Sequence, residues 1–235
     1  VTQLDSGSKL TLTGTGPTNV ANPDGNLTLA NNGSGLATIT GLNNGAKLSN
    51  SGSGPVAIKD PDGDVQLANT GTGLVTIFGL NNGAKLNSSG SGPTTVDNPD
   101  GNLSVANTGT GLITVKGLND GASLACSGTG PLTVADPDGN LTLDNNGTGI
   151  VQVTGLNAGA TLTTHGSGPL TVADPEGSLT LDNNGSGIVT VTGLNDGATL
   201  TTHGSGPTHV VDPDGDFALV NLGTGVVTIH GLDDG

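Results

Sequence analysis

Residues 42–79 read LNNGAKLSNSGSGPVAIKD followed by PDGDVQLANTGTGLVTIFG, and this stretch decides the fold of the chain. The same 38-residue unit occupies residues 4–41, 42–79, 80–117, 118–155, 156–193 and 194–231, and a partial seventh copy begins at 232–235. Repetition at a fixed period, without insertions, is typical of a stacked solenoid whose units bury their apolar faces against one another. We therefore expect one elongated domain over residues 1–235.

Each unit contains two similar 19-residue halves, whose positions we number one to nineteen from Leu42 and again from Pro61. Position seventeen is Val or Ile in all twelve halves, and position seven is Leu in eleven, with Val105 in the twelfth. The apolar positions five, seven, fifteen and seventeen follow the two-residue period of strands. The pattern predicts an all-β parallel β-solenoid of twelve 19-residue coils, each made of two short strands. We call a coil that starts with Leu a leucine coil and one that starts with Pro a proline coil.

Two kinds of turn separate the strands. Positions eleven and thirteen are Gly in every coil with Ser or Thr between them, as in Gly14-Thr15-Gly16, and we call this segment the glycine corner. Glycine permits backbone conformations that other residues disfavour, as a sharp bend requires. The second turn alternates between Leu-Asn-x-Gly, as at 42–45, and Pro-Asp-Gly, as at 61–63, both of which favour turns.

The two halves differ systematically, which leaves two coil lengths open. Position five is mostly Ala in leucine coils, as at Ala46, and large in proline coils, as at Val65. Coils of 19 residues would alternate small and large side chains along a thin core. A 38-residue coil would instead stack identical residues and form an unbroken ladder of the position-nine asparagines Asn31, Asn69, Asn107, Asn145, Asn183 and Asn221.

The net charge of −15 argues against nucleic acid as a partner, and no apolar stretch is long enough for membrane insertion. All five lysines precede residue 118, where seven acidic residues leave a net charge of −2, and the remainder carries thirteen acidic residues and no lysine. This polarity indicates either drift after duplication or a preference for head-to-tail contact.

Acidic residues at the Pro-Asp-Gly turns are the candidate metal ligands. Carboxylates and turn carbonyls are the hard oxygen ligands that Ca²⁺ prefers, although Asp, Pro and Gly are also ordinary turn residues. The candidate calcium ligands are Asp60, Asp62, Asp64, Asp136, Asp138, Asp174, Glu176, Asp212, Asp214 and Asp216. We expect no other cofactor.

Threonines at position sixteen are predicted to point outward as a row of hydroxyl groups: Thr38, Thr76, Thr95, Thr114, Thr133, Thr171, Thr190 and Thr228. Such a row resembles the ice-binding faces of β-solenoid antifreeze proteins, although Thr is also a favourable strand residue.

His165 and His203 occupy equivalent positions in adjacent units and could approach one another, but solvent-facing side chains are the default expectation. Cys126 has no partner for an internal disulfide.

The 19-residue period and glycine-rich corners such as Asn146-Gly147-Thr148-Gly149 resemble the repeats of filamentous-haemagglutinin-type adhesins and of calcium-dependent RTX adhesins. In the RTX pattern, however, Asn and Asp would follow the glycine corner, where this chain has Ile150-Val151. The resemblance implies a secreted bacterial surface rod without catalysis.

These observations predict an extracellular structural or adhesive solenoid, and not an enzyme. We expect it to form or extend a filament or stalk by self-association, with a cell-surface or glycan partner as a further expectation. The chain begins and ends in repeat register, which indicates either a piece of a longer repetitive protein or ends that stack on neighbouring molecules. An ice-binding or calcium-binding module of a secreted adhesin is the alternative.

Overall fold

A computed structural model gives the conformation of most of the chain. It describes residues 4–23, 26–43, 45–61, 64–81, 83–100, 102–119, 121–138, 140–157, 159–176, 178–195, 197–214 and 216–232. Within these ranges all regular structure is strand, and none of it is an apolar helix of the length that crossing a membrane requires.

The described residues form an all-β parallel solenoid with two 12-stranded sheets, and each coil gives one strand to each sheet. The first sheet contains β1 (Lys9–Leu12), β3 (Thr28–Asn31), β5 (Ala46–Asn50), β7 (Val65–Asn69), β9 (Lys85–Ser88), β11 (Ser104–Asn107), β13 (Ala122–Cys126), β15 (Leu141–Asn145), β17 (Ala160–Thr164), β19 (Leu179–Asn183), β21 (Ala198–Thr202) and β23 (Phe217–Asn221). The second contains β2 (Thr18–Ala21), β4 (Ala37–Thr40), β6 (Val56–Lys59), β8 (Val75–Phe78), β10 (Thr94–Asp97), β12 (Ile113–Lys116), β14 (Leu132–Ala135), β16 (Val151–Thr154), β18 (Leu170–Ala173), β20 (Val189–Thr192), β22 (Thr208–Val211) and β24 (Val227–His230). The predicted fold class is confirmed.

The strand register shows that the coil length is 19 residues. Leu48 in β5 pairs with Leu67 in β7, and Ile58 in β6 pairs with Ile77 in β8. The alternative of a 38-residue coil is therefore wrong, and so is its unbroken asparagine ladder. Other side chains lie between those asparagines in the position-nine column, namely Asn50, Ser88, Cys126, Thr164 and Thr202.

The core is a narrow column between the two sheets. Inward residues at positions five, seven, fifteen and seventeen are buried along most of the rod, as Leu48, Val56 and Ile58 illustrate. Ala46 pairs with Val65, and Ala122 with Leu141, so small and large side chains alternate as expected for 19-residue coils. Burying one Leu, Val or Ile side chain contributes roughly 1.5–3 kcal/mol, and this contribution recurs in each coil.

Buried polar side chains connect each coil to the next. At position nine, the Asn50 amide donates to the Asn69 side chain at 3.3 Å and to the carbonyl oxygen of Gly73 at 3.2 Å. The side chains of Asn31 and Asn69 donate to the carbonyl oxygens of Gly54 and Gly92 in the same way. A buried amide costs free energy unless it is hydrogen-bonded, so these contacts fix where the following glycine corner lies.

The alternation of glycine with a polar residue at two turn positions explains why the sequence repeats every 38 residues although the coil has 19. At position nineteen, Gly41 of a proline coil lies above Asn22, and a Cβ on Gly41 would approach the Asn22 Oδ1 atom to 2.6 Å. At position four, Gly83 of a leucine coil lies above Asp64, and a Cβ there would overlap the carboxylate. Each polar turn side chain therefore occupies space that the next coil leaves empty.

Candidate functional site

The predicted acidic residues lie along the edge opposite the glycine corners. Asp60, Asp136, Asp174 and Asp212 are at position nineteen, Asp138, Glu176 and Asp214 at position two, and Asp64 and Asp216 at position four. All nine are exposed to solvent. Asp62 lies outside the described residues.

Backbone conformation accounts for the acidic residues at position nineteen. Asp60 has a φ of 46° and Asp136 a φ of 49°, in the left-handed region that only Gly, Asn and Asp adopt readily. Asn22 and Asn98 have the same conformation in their coils, and glycine takes this position in the coils between. The turn therefore selects Asp or Asn here without any ligand.

Successive acidic corners are two coils apart, which corresponds to about 9.6 Å along the rod. Within the described part of the chain, no three His, Cys, Asp or Glu side chains converge closely enough to hold a metal ion. Because Asp62 is not among these residues, the calcium site stays a prediction.

Two Asp–His pairs are the polar contacts that the sequence reasoning missed. The Nδ1 atom of His165 lies 3.2 Å from Oδ1 of Asp144, and that of His203 lies 2.9 Å from Oδ1 of Asp182. Both pairs are about half exposed. The two histidines are two coils apart and face solvent, as the default expectation had it, and each contacts an aspartate and not the other histidine.

The sequence signal for these pairs is an offset of 21 residues, which is one coil plus two positions. It becomes visible only when the 19-residue register is known. The Asn146 amide also donates to Oδ2 of Asp144, at 2.9 Å, so that carboxylate accepts hydrogen bonds from its own coil. This arrangement orients solvent-facing side chains along the corner.

Three columns of uncharged side chains follow the glycine corner along the rod, and together we call them the corner face. The hydroxyl column is position twelve, which is Ser or Thr in all twelve coils and exposed throughout. The aliphatic stripe is position fourteen, where prolines alternate with the large side chains of Leu36, Leu74, Leu112, Ile150, Ile188 and Val226. The threonine column is position sixteen.

Beside the hydroxyl column runs a shallow open groove of about 500 Å³. It is lined by the position-twelve residues Thr110, Thr129 and Thr148 and by the position-ten residues Ser89, Thr108, Ser127 and Asn146. Gly109, Gly128 and Gly147 lie between these two sets at position eleven, and a Cβ on any of them would overlap a carbonyl oxygen of the preceding coil. The groove presents hydroxyl oxygens at the coil spacing of about 4.8 Å.

The threonine column lies on the outer surface of the second sheet, as predicted. Thr76, Thr95, Thr114 and Thr133 are consecutive partners in the strand register. They are half-buried, whereas the flanking positions fifteen and seventeen are fully buried. The adjacent position eighteen is irregular, because Lys59, Phe78, Asp97 and Lys116 follow one another there.

Comparisons of this chain with protein-family models, with curated proteins and with solved structures find no match.

Proposed function

We propose that this chain is a structural or adhesive rod of the cell surface, which forms or extends a filament by end-to-end stacking of 19-residue coils. The observation that supports it most is the in-register pairing of β1 to β23 and of β2 to β24 without a break. Each added coil repeats the same contacts with its neighbour, so the number of coils sets the length of the rod.

The last described coil supports a stacking contact. Phe217 and Leu219 are only partly buried there, although the residues at the same positions in the second to eleventh coils are fully buried. Among the described strands, β23 and β24 each pair on one side only, so their other edges offer backbone hydrogen-bonding groups to a further coil. That coil can belong to a longer form of the same chain or to another copy.

An exposed location fits the distribution of cationic residues. No Lys or Arg follows Lys116, so proteases of trypsin specificity have no cleavage site in the second half of the chain. The acidic surface there also keeps rods soluble and separate outside their intended contacts. A cell-surface or glycan partner remains part of this proposal.

Electron microscopy of the purified chain tests whether it forms filaments. The variant Ile229→Lys tests whether those filaments depend on the end contact. Ile229 belongs to an inward column but is 36% exposed in the last described coil, so stacking would bury the new lysine. The matched control is His230→Lys, which places the same charge on the next residue of β24, facing outward. We expect filaments of tens of coils from the parent and the control, and short rods from Ile229→Lys. Isolated short rods from all three proteins would contradict end-to-end stacking.

Ice binding is the second candidate, and the unbroken run from Thr76 to Thr133 favours it. Hydroxyl and methyl groups at a regular spacing can order water on a flat face. Thermal hysteresis of the purified chain, compared with a Thr95→Lys, Thr114→Lys variant, tests this function. Equal freezing behaviour of both proteins and buffer would remove ice binding as a candidate.

A further inference from the structure

Acidic residues and lysines are absent from one whole side of the rod. The chain has 20 acidic residues and five lysines, and none of these 25 lies at positions nine to seventeen of any coil. Every residue at these positions is among those that the structure describes. The corner face therefore contains no Asp, Glu or Lys, and its one titratable side chain is His209 at position sixteen, on a molecule with a net charge of −15.

The aliphatic stripe exposes apolar surface along this uncharged side. Its Leu and Ile side chains, exemplified by Leu74, Leu112 and Ile150, are 40–50% exposed. They recur every two coils, about 9.6 Å apart, with a proline between each pair. Position fourteen is apolar in all twelve coils, although it lies outside the strands and is not buried in any coil. A continuous exposed apolar strip on a soluble protein marks an interaction surface.

We infer that two copies of this chain pair side by side, antiparallel, through their corner faces. The large side chains of one stripe fit over the prolines of the other, because both stripes have the same spacing. Antiparallel pairing about a two-fold axis is a closed arrangement and brings each hydroxyl column opposite the same column of the second copy. The hydroxyl and threonine columns then form the polar rim of the contact.

The area is sufficient for a specific dimer. Twelve coils make the face about 53 Å long, and the four residue steps from position twelve to position sixteen make it about 13 Å wide. Each copy would bury about 700 Å², close to the value of about 800 Å² per partner that specific interfaces show.

The aliphatic stripe selects the antiparallel orientation. In a parallel two-fold pair each coil lies opposite its own copy, so Leu would face Leu and Pro would face Pro. Antiparallel copies with full overlap instead set each proline coil opposite a leucine coil. Antiparallel pairing also keeps the two strongly acidic halves, with a net charge of −13 after residue 117, at opposite ends of the pair.

This inference goes beyond the proposed function, because a rod can stack end to end without pairing laterally. Its test is sedimentation velocity of the full chain carrying Ile229→Lys, which removes the end contact. The disrupting variant adds Leu74→Glu, Leu112→Glu and Ile150→Glu to the stripe. The matched control adds Gln66→Glu, Ser104→Glu and Thr142→Glu, which are exposed residues of the same three coils on the first sheet.

We expect dimers of the parent and the control and monomers of the stripe variant, a twofold loss of mass, with unchanged circular dichroism. A monomeric parent, or a stripe variant that remains dimeric, would overturn the inference. Because end stacking is blocked in all three proteins, neither result bears on the filament.

Cross-linking tests the orientation. Ser34 and Ser205 lie in the hydroxyl column of the second and the eleventh coil, so antiparallel copies with full overlap bring these two residues together. A mixture of Ser34→Cys and Ser205→Cys proteins should give a cross-linked dimer that neither protein gives alone. Buried Cys126 should not interfere. Cross-linked dimers of Ser34→Cys alone, or no cross-linking in the mixture, would contradict antiparallel pairing.

Discussion

Cys126 replaces a hydrogen-bonding side chain in the buried position-nine column. Burial, and secondarily the negative charge of Asp144, raises the pKa of its thiol to about 12. The thiolate is the reactive form of cysteine, so this side chain is chemically inert in the folded chain.

We predict that Ellman's reagent does not label Cys126 at pH 8 unless the chain is unfolded.

The shifted pKa of Cys126 also makes the stability of the fold depend on pH. The thiol of the unfolded chain ionises near its ordinary value of 9.0, whereas the folded thiol keeps its proton up to about pH 12. Stability is therefore lost as the pH rises from 9 toward 12. Denaturant unfolding of wild type and Cys126→Thr should diverge over that range, and parallel curves would contradict the prediction.

Ser88 is another residue of the position-nine column that replaces an asparagine, and its hydroxyl group makes no hydrogen bond with any described residue. Its Oγ atom and the Oδ1 atom of Asn107, one coil further, are both buried without a hydrogen-bond partner. Thr164 and Thr202 occupy the same column, and their hydroxyl groups donate to Asn183 and Asn221 at 2.7 Å.

We predict that Ser88→Thr stabilises the chain by about 1 kcal/mol, because the threonine rotamer would direct the hydroxyl group to Asn107. Urea unfolding measures this change. Thr164→Ser is the reverse control and should destabilise the chain, whereas a loss of stability in Ser88→Thr would show that the column has no room for the methyl group.

Among the structural elements, the glycine corners are the most constrained. A Cβ on Gly52 would overlap the carbonyl oxygen of Gly33 in the preceding coil, and this backbone atom cannot move aside. Gly16 belongs to the first coil, and a Cβ there would meet no atom within 4 Å.

We predict that Gly52→Ala lowers the free energy of unfolding by about 3 kcal/mol, because overpacking against backbone forces the coils apart. Gly16→Ala, the same substitution in an unobstructed corner, should change it by less than about 0.5 kcal/mol. Thermal unfolding followed by circular dichroism distinguishes them, and equal melting temperatures would contradict the stacking of the corners.

The strands and corners could be predicted from the sequence, because alternation at positions five, seven, fifteen and seventeen has the period of a strand. The coil length could not be fixed, since either length satisfied that alternation. What fixes it is the side chain of Asn22 beneath Gly41, a contact between residues 19 apart. The Asp144–His165 pair was missed for the same reason, because its offset has meaning only in the correct register.

For the molecule as a whole, the two-coil alternation predicts an unusual response to shortening. Deleting residues 80–117 removes two coils but keeps leucine and proline coils in order. Deleting residues 80–98 removes only one coil and places the proline coil that starts at Pro99 directly on another. Asn102 would then lie above Asp64, in the place where the parent chain has Gly83 and no side chain. Two large side chains, Leu103 and Val65, would also be stacked on each other in the core.

We therefore expect the smaller deletion to be the more harmful one. The chain without residues 80–117 should melt within a few degrees of the parent, since nearest-neighbour contacts are preserved. The chain without residues 80–98 should melt at a clearly lower temperature by differential scanning calorimetry. A loss that simply follows the number of coils removed would contradict the role of the alternating glycines.

The glycine at position nineteen of every proline coil also bears on how a gene for such a rod can change in length. Recombination between misaligned copies preserves the fold only when the misalignment is a multiple of 38 codons. A misalignment of 19 codons stacks two coils of the same kind, so that two polar turn side chains compete for the same space. Inherited length variants should therefore differ by whole blocks, and the number of coils should change in pairs.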